Sequence, residues 1–211
     1  DQHGTAIVVL AALRNALKFV KKDLGSVKIV LSGVGAAGNA IARLLTLSGA
    51  KNIIGFNHHG VIHNEMKSED SMQQWFIDNS NPHNFIGTMP EALVGADVFI
   101  GVSAPNILKE ADIATMAKGS IIFALANPDP EVDPVVARKY ATVVATGRSD
   151  QPNQINNVLA FPGIFRGLLD ANAHKITDNL LVAAAEAIAD CVSPEQLNAS
   201  FIVPSVFAPN V

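Results

Sequence analysis

The chain has 211 residues, of which 49% are hydrophobic and only 16% are charged. This charged fraction is below the roughly 25% of an average soluble domain, which indicates buried strands or an interface with a further domain or chain. A formal charge of −4 without a run of basic residues argues against nucleic acid as a partner. The single cysteine, Cys191, excludes an internal disulfide and is typical of a reducing compartment, so we expect the cytoplasm.

Hydrophobic periodicity predicts helices that alternate with short strands. The first helix covers Thr5–Lys22, and because Arg14 interrupts its longest apolar stretch we expect no membrane span. Strands are predicted at Val27–Leu31, Asn52–Phe56, Asp97–Val102, Ser120–Ala126 and Ala141–Ala145. Further helices are predicted at Ala36–Leu47, Asp70–Asp78, Met89–Val94, Lys109–Ala117, Asp133–Lys139, Ile164–Ala171 and Thr177–Val192.

This alternation is typical of an α/β fold. Strands that are apolar throughout predict a doubly wound parallel sheet, covered by helices on both faces, as in Rossmann-type NAD(P)-binding domains. We found no internal repeat and no low-complexity linker, so residues 1–211 are interpreted as one domain. In such a sheet, a ligand is expected at the carboxyl ends of the strands, where the chain order reverses.

A glycine-rich turn follows the first predicted strand. Its sequence matches G-x-G-x-x-G, a pattern in which the first glycine permits a tight turn, the second admits a pyrophosphate and the third lets the helix pack closely. The amides at the start of the next helix would hold the phosphates. We therefore predict dinucleotide binding, while a purely structural turn remains the alternative; the predicted cofactor contacts are Gly33, Gly35, Ala36, Ala37 and Gly38.

The second strand lacks the acidic residue that usually binds the adenine ribose. Asn57 stands at its end and is followed by His58 and His59. An asparagine can bond a ribose hydroxyl without repelling a 2′-phosphate, and a protonated histidine would attract that phosphate, so the choice between NAD and NADP stays open. A metal site formed by these two histidines and His63 is a further alternative, although loop histidines without acidic or thiol neighbours are more often solvated.

Several longer segments resemble the malic enzymes, especially the short bacterial type. They are Asp1-Gln2-His3-Gly4-Thr5-Ala6 before the first helix, the asparagine-proline turn Ala126-Asn127-Pro128-Asp129-Pro130-Glu131, and the loop from Thr146 to Gly163 that contains Asn156-Asn157. Their order along the chain makes the resemblance more specific than the glycine turn alone. It implies an enzyme that oxidises malate with NAD or NADP, requires Mg²⁺ or Mn²⁺, and releases pyruvate and CO₂.

The resemblance also implies roles for individual residues. Asp1 would be a metal ligand, Asn127 would contact both cofactor and substrate, Asn156 and Asn157 would hold a malate carboxylate, and Ser103 would contact the cofactor. Simpler interpretations stay open, since Asn127 precedes a proline in a turn and the asparagine pair would also cap a helix. The family's catalytic tyrosine and lysine belong to a preceding domain, so no catalytic residue is expected in this chain.

Other functions remain open at this point. An oxaloacetate decarboxylase, a malolactic relative and a nucleotide-sensing domain without catalysis would share the same dinucleotide fold. The expected partners are malate or pyruvate, the protein's own preceding domain and a second copy in a homodimer. Two positions depart from the family pattern, namely Asn57 in place of an acid and Asn106 where a glycine is common.

Overall fold

A computed structural model describes residues 2–208. Its strands are β1 (Lys28–Ser32), β2 (Asn52–Asn57), β3 (Gly60–Val61), β4 (Val98–Gly101), β5 (Ile121–Ala124) and β6 (Val143–Thr146). Its helices are α1 (Gln2–Val20), α2 (Ala36–Leu47), α3 (Ser71–Asn79), α4 (Met89–Leu93), α5 (Glu110–Ile113), α6 (Pro134–Ala137), α7 (Gly163–Asp170) and α8 (Asp178–Asp190).

The strands form one six-stranded sheet in the order β3-β2-β1-β4-β5-β6. All neighbouring pairs are parallel except β2 and β3, which form a short antiparallel hairpin. The chain order therefore reverses between β1 and β4 in the middle of the sheet. The predicted doubly wound parallel sheet is confirmed, and only the two-residue strand β3 was missed.

Alternate residues of each parallel strand point to opposite faces of the sheet. Ile29 and Leu31 of β1 belong to the core beneath α1, α2 and α8, whereas Val30 between them belongs to the core beneath the short helices. Both faces are thus buried, which is why these strands have no polar alternation in their sequences. Helix cover on both sides leaves the two ends of the strands as the places where a ligand has access.

Helix α1 is long and apolar enough to cross a membrane when judged by length and composition alone. Most of it is buried inside the molecule, where it packs against α2 and α8. Asn15 on this helix donates Nδ2 hydrogen bonds to the carbonyl oxygens of Ala189 and Ile202, both at 2.9 Å. The interior packing of α1 accounts for its hydrophobicity, as in the central helix of many folds.

Short polar side chains begin several helices. Asp70 accepts hydrogen bonds from two amides at the start of α3, and Thr177 caps α8. Thr88 and Glu91 form a reciprocal capping box at the start of α4. Helix α5 is shorter than predicted, because the backbone of Thr115 and Ala117 bonds to Gly95 and Ala96 instead of extending the helix.

Candidate functional site

The glycine turn lies at the point where the strand order reverses. Gly33 follows β1 with a φ of +97°, and a Cβ atom there would lie 2.6 Å from the carbonyl oxygen of Val102, just after β4. Both the backbone conformation and this close approach exclude any side chain at Gly33. The turn therefore holds the loops after β1 and β4 against each other, as the predicted position of a ligand requires.

The other two glycines of the turn serve different purposes. A Cβ at Gly38 would collide with the carbonyl oxygen of Gly33, so this glycine lets α2 pack against the turn. A Cβ at Gly35 would meet no described atom within 4 Å, and in the described structure no side chain caps the helix at this residue. The first amides of α2 thus face open space, an arrangement suited to a pyrophosphate.

Three neighbouring clefts surround the turn. The first, which we name the turn cleft, has a volume of about 550 Å³ and is lined by Gly33, Gly35, Ala36, Asn57 and Ser103, among others. The second, the histidine cleft, measures about 810 Å³ and adds His58, His59, His63 and apolar residues of the loop before α4. The third, the amide cleft, measures about 430 Å³ and is lined by Ala37, Ser103, Asn127, Asn156 and Asn157.

Ser103 lines all three clefts. Its hydroxyl lies 2.8 Å from that of Ser32, the last residue of β1. The clefts thus lie next to one another around the residues that follow β1 and β4 at the carboxyl edge of the sheet. The structure thus brings together the residues predicted from the sequence to bind cofactor and substrate, while Gly38 packs beneath the turn; their contacts with these ligands remain predictions.

The end of β2 forms a tight turn. The Oδ1 atom of Asn57 accepts a hydrogen bond of 2.8 Å from the amide of His59, and the rings of His58 and His59 lie 3.7 Å apart between centroids. Part of the acceptor capacity of Asn57 is therefore used within its own loop. Asn57 still lines the turn cleft beside Gly33, which is the position from which a residue would contact the adenine ribose.

The asparagine pair in the amide cleft occupies the start of a 3₁₀ turn, Asn157–Leu159. Asn156 caps this turn, since its Oδ1 accepts a hydrogen bond of 3.1 Å from the amide of Val158. The same side chain can cap the turn and bind substrate, so the interpretations of Asn156 as a cap and as a substrate-binding residue are compatible. Asn127 is exposed at the opposite wall of the cleft, where an amide group is available to a carboxylate.

The predicted metal ligand Asp1 lies outside the described residues. Among residues 2–208, no group of three or more histidine, cysteine, aspartate or glutamate side chains is arranged to hold a metal ion. The alternative in which His58, His59 and His63 form a metal site is therefore not supported.

A buried carboxylate behind the clefts was not recognised from the sequence. Glu131 is fully buried, and its Oε1 and Oε2 atoms accept hydrogen bonds of 3.0 Å from the amides of Ser103 and Ala126, respectively. Burial raises the pKa of this carboxyl group above its ordinary value, although these two amides oppose the shift. Its sequence position, after two prolines in a turn, gave no indication of burial.

The raised pKa of Glu131 predicts that the contribution of this residue to the free energy of unfolding decreases with increasing pH. Above about pH 4.5, the unfolded chain releases this proton while the folded chain still retains it, so the free energy of unfolding falls until the higher folded-state pKa is passed. Urea unfolding of the chain and its Glu131→Gln variant at a series of pH values from 4 to 8 measures this contribution. An identical pH slope in the two proteins would contradict the prediction.

A family model for the NAD-binding domain of malic enzymes matches residues 2–208. The chain belongs to this family. It is 54% identical over 207 residues to an NAD-dependent malic enzyme of Geobacillus stearothermophilus, and the match covers 98% of this chain and 43% of that protein. It is 46% identical over 215 residues to a bifunctional malic/malolactic enzyme of Bacillus subtilis, with 98% of this chain and 51% of that protein covered.

A solved structure supports the same assignment. The NAD-dependent malic enzyme of Thermotoga maritima matches with a TM-score of 0.91 and 44% identity, over 98% of this chain and 55% of that one. The resemblance to malic enzymes, the fold and the nicotinamide cofactor predicted from the sequence are thereby confirmed. The chain spans about half the length of these relatives.

The backbone explains one departure from the malic enzyme pattern. Asn106 has a φ of +56°, in the left-handed region that glycine adopts without a steric penalty. Asparagine is among the side chains that tolerate this conformation best. The amide of Asn106 also donates a hydrogen bond of 3.0 Å to the carbonyl oxygen of Pro130, which fixes the loop after β4. Asparagine is thus compatible with the left-handed backbone of this loop.

Proposed function

We propose that this chain is the cofactor-binding part of an enzyme that oxidises malate with NAD or NADP and decarboxylates the product to pyruvate. The observation that supports this best is that the turn cleft and the amide cleft share a lining residue, Ser103, and so lie side by side. A dinucleotide on the glycine turn would extend its reactive end into a space lined by three asparagines. Amide groups orient a carboxylate by hydrogen bonding without neutralising it, as substrate binding requires.

Within this chain, residues bind and orient the reactants. The amides at the start of α2 hold the phosphates, and Asn127 with Asn157 orients a malate carboxylate beside the nicotinamide. When bound, NAD or NADP supplies the acceptor for the hydride that leaves C2 of malate. Among the described residues that line the amide cleft there is no tyrosine or lysine, so the acid and base must come from the rest of the protein.

The ligands of the metal ion are likewise divided between this chain and the rest of the protein. Mg²⁺ and Mn²⁺ prefer oxygen ligands, and a single carboxylate such as Asp1 does not form a site for them. We therefore propose that Asp1 completes a site whose other acidic ligands lie in the preceding domain. The whole protein would act as a homodimer in the cytoplasm; light scattering of the full-length protein and cell fractionation test these two proposals.

The proposed division of labour predicts that residues 1–211 alone do not turn over malate. Full-length protein is expected to form NADH or NADPH from malate in the presence of Mn²⁺, whereas the fragment should still bind the dinucleotide. Absorbance at the nicotinamide band and calorimetric titration measure these two properties. Turnover by the fragment would show that the acid-base groups lie within this chain, contrary to the proposal.

A malolactic or decarboxylase activity is the second candidate, because the Bacillus subtilis relative is named a bifunctional malic/malolactic enzyme. The same assay distinguishes the candidates when its products are identified. Pyruvate with net NADH supports the first proposal, and lactate without net NADH supports the second. Decarboxylation of oxaloacetate without malate oxidation would indicate a decarboxylase, and dinucleotide binding without any turnover by the full-length protein would indicate a sensor.

Replacing Asn57 by aspartate is expected to shift cofactor preference toward NAD. Aspartate keeps the acceptor for the amide of His59, so the turn is retained, while its charge strengthens bonds to a ribose and repels a 2′-phosphate. We expect NADP affinity to fall by about tenfold, equivalent to roughly 1.4 kcal/mol. Titration with both cofactors at pH 6 and pH 8 measures the effect.

Two outcomes would contradict this role of Asn57. One is an unchanged NADP affinity in the Asn57→Asp variant. The other is a preference of the unmodified protein for NAD by more than about a hundredfold, or 2.7 kcal/mol, at both pH values. Either result would show that another residue determines the choice of cofactor.

A further inference from the structure

Glu131 connects two loops that belong to different strands. Its Oε1 atom accepts the amide of Ser103 after β4, and its Oε2 atom accepts the amide of Ala126 after β5. Ser103 lines all three clefts, and Ala126 lines the amide cleft directly before Asn127. One buried side chain thus holds the backbone on both sides of the space proposed for the nicotinamide end of the cofactor.

The surrounding backbone is built to admit this carboxylate. A Cβ atom at Gly101, the last residue of β4, would collide with the carboxyl group of Glu131, so only glycine leaves the necessary room. The carbonyl oxygen of Glu131 also accepts a hydrogen bond of 3.0 Å from the amide of Leu108. The side chain is therefore held from several directions, and its two oxygen atoms have little freedom to move.

We propose that Glu131 is a positioning residue that sets the distance between Ser103 and Asn127 and thereby aligns cofactor and substrate. The inference rests on the proposed function in so far as it assigns the nicotinamide end to the amide cleft. Glu131 itself touches neither reactant. Two hydrogen bonds to one rigid carboxylate determine the separation of two loops, and small errors in that separation have large effects on a reaction between aligned groups.

The two loops differ from the glycine turn in what holds them. The turn is fixed mainly by the packing of Gly38 on Gly33 and by the strand β1, and no described interaction joins these residues to Glu131. The turn meets only one of the two loops, where Gly33 lies against Val102 and Ser103. A ligand that uses only the turn cleft, such as ADP, should therefore depend on Glu131 only weakly. A ligand that also occupies the amide cleft, such as NAD, should depend on it.

The test compares Glu131→Gln with the unmodified full-length protein. Glutamine has the same shape but presents an NH₂ group to one of the two amides, so one hydrogen bond is lost. We expect kcat for malate oxidation to fall by at least tenfold, while the dissociation constant for ADP changes by less than threefold. Glu131→Asp keeps the charge but not the reach, and should show the same pattern.

Glu110→Gln is the matched control. Glu110 is an exposed carboxylate whose described hydrogen bonds come from Lys139 and Tyr140 at 3.2 and 3.0 Å, not from the amides of Ser103 or Ala126. Its replacement removes the same charge and is expected to leave kcat and both affinities unchanged. A kcat of Glu131→Gln within threefold of the unmodified protein would overturn the proposal, as would an equal loss of ADP affinity, which indicates general unfolding.

Two further measurements separate this proposal from the proposed function. If the unmodified protein does not oxidise malate, the role of Glu131 is tested by the ratio of NAD to ADP affinity. Only NAD should bind appreciably more weakly to Glu131→Gln than to the unmodified protein. If neither Glu131→Gln nor Glu131→Asp folds, hydrogen exchange of the unmodified protein tests the role of Glu131. The amides of Ser103 and Ala126 should then exchange as slowly as those of the central strands, and rapid exchange at either amide would overturn the role of Glu131.

Discussion

Replacing Gly38 by alanine is expected to abolish tight dinucleotide binding and to destabilise the fold. The new methyl group would collide with the carbonyl oxygen of Gly33, a backbone atom that cannot move away as a flexible side chain could. Overpacking of this kind costs about 1–3 kcal/mol, and displacement of α2 would also move the amides that hold the phosphates. Calorimetric titration with NAD and chemical unfolding measure the two effects, and we expect NAD affinity to fall by more than about tenfold.

Gly35→Ala separates binding from stability within the same turn. Its Cβ would enter space with no described atom within 4 Å, so we expect a change in unfolding free energy of no more than about 1 kcal/mol. The methyl group would nevertheless occupy the place of the pyrophosphate and weaken NAD binding. Gly167→Ala on α7, another open position, is a control that should leave NAD binding unchanged. Full NAD affinity in Gly38→Ala would show that the turn does not bind the cofactor.

Replacing Asn153 by alanine is expected to lower the stability of the protein more than either glycine substitution does. This side chain is 6% exposed, donates Nδ2 hydrogen bonds to the carbonyl oxygens of Val144 and Ala199, and accepts one from the amide of Ile202. Alanine would leave three backbone groups without their partner, and each such group costs about 1–3 kcal/mol when buried. We expect a total loss of about 3–5 kcal/mol, or a melting temperature lower by roughly 10 °C.

Asn172→Ala provides the matched control for Asn153→Ala. Both asparagines have a left-handed backbone, with φ values of +58° at Asn153 and +47° at Asn172, but Asn172 lies in an exposed turn. The two variants therefore share the backbone penalty and differ in the buried hydrogen bonds. Thermal unfolding of both proteins isolates that difference. Equal losses of stability would mean that the three hydrogen bonds of Asn153 contribute little.

Asn153 also bears on the site, because it lies in the loop between β6 and the 3₁₀ turn that begins with Asn157. Its bonds attach this loop to the segment at Ala199 and Ile202, near the end of the described chain. Loss of the attachment should raise the KM for malate in the full-length protein more than the dissociation constant for NAD. The sequence near Asn153 shows only a polar loop, and two of its three partners, Ala199 and Ile202, lie more than forty residues away.

Local sequence signals were sufficient to predict the fold and the glycine turn of the candidate site. Apolar runs of strand length, alternating with helical periodicity, indicate a covered parallel sheet wherever they occur. The glycine turn was recognised because steric demands at Gly33 and Gly38 can be met only by glycine, so the residue type itself reports the backbone. Helix α2 was predicted with its observed bounds, Ala36–Leu47, for the same reason: the turn determines where it begins.

Other features were decided by contacts between segments distant in sequence. The hairpin strand β3 has only two residues, and α5 ends early because Thr115 and Ala117 bond to the loop at Gly95 and Ala96. Neither the short length of β3 nor the early end of α5 produces a hydrophobic periodicity that can be recognised in the sequence. Burial of the Glu131 carboxylate likewise depends on amides supplied by the loops after β4 and β5.

The sequence by itself determined where strands, helices and the dinucleotide turn lie, since these depend on steric and hydrophobic preferences of neighbouring residues. The tertiary structure alone decided which polar groups are buried and which loops meet at the carboxyl edge of the sheet. Glu131 and Asn153 are ordinary polar loop residues until the fold surrounds them with backbone donors and acceptors. The physical reason is that a buried polar group is stable only with partners, and those partners are chosen by topology.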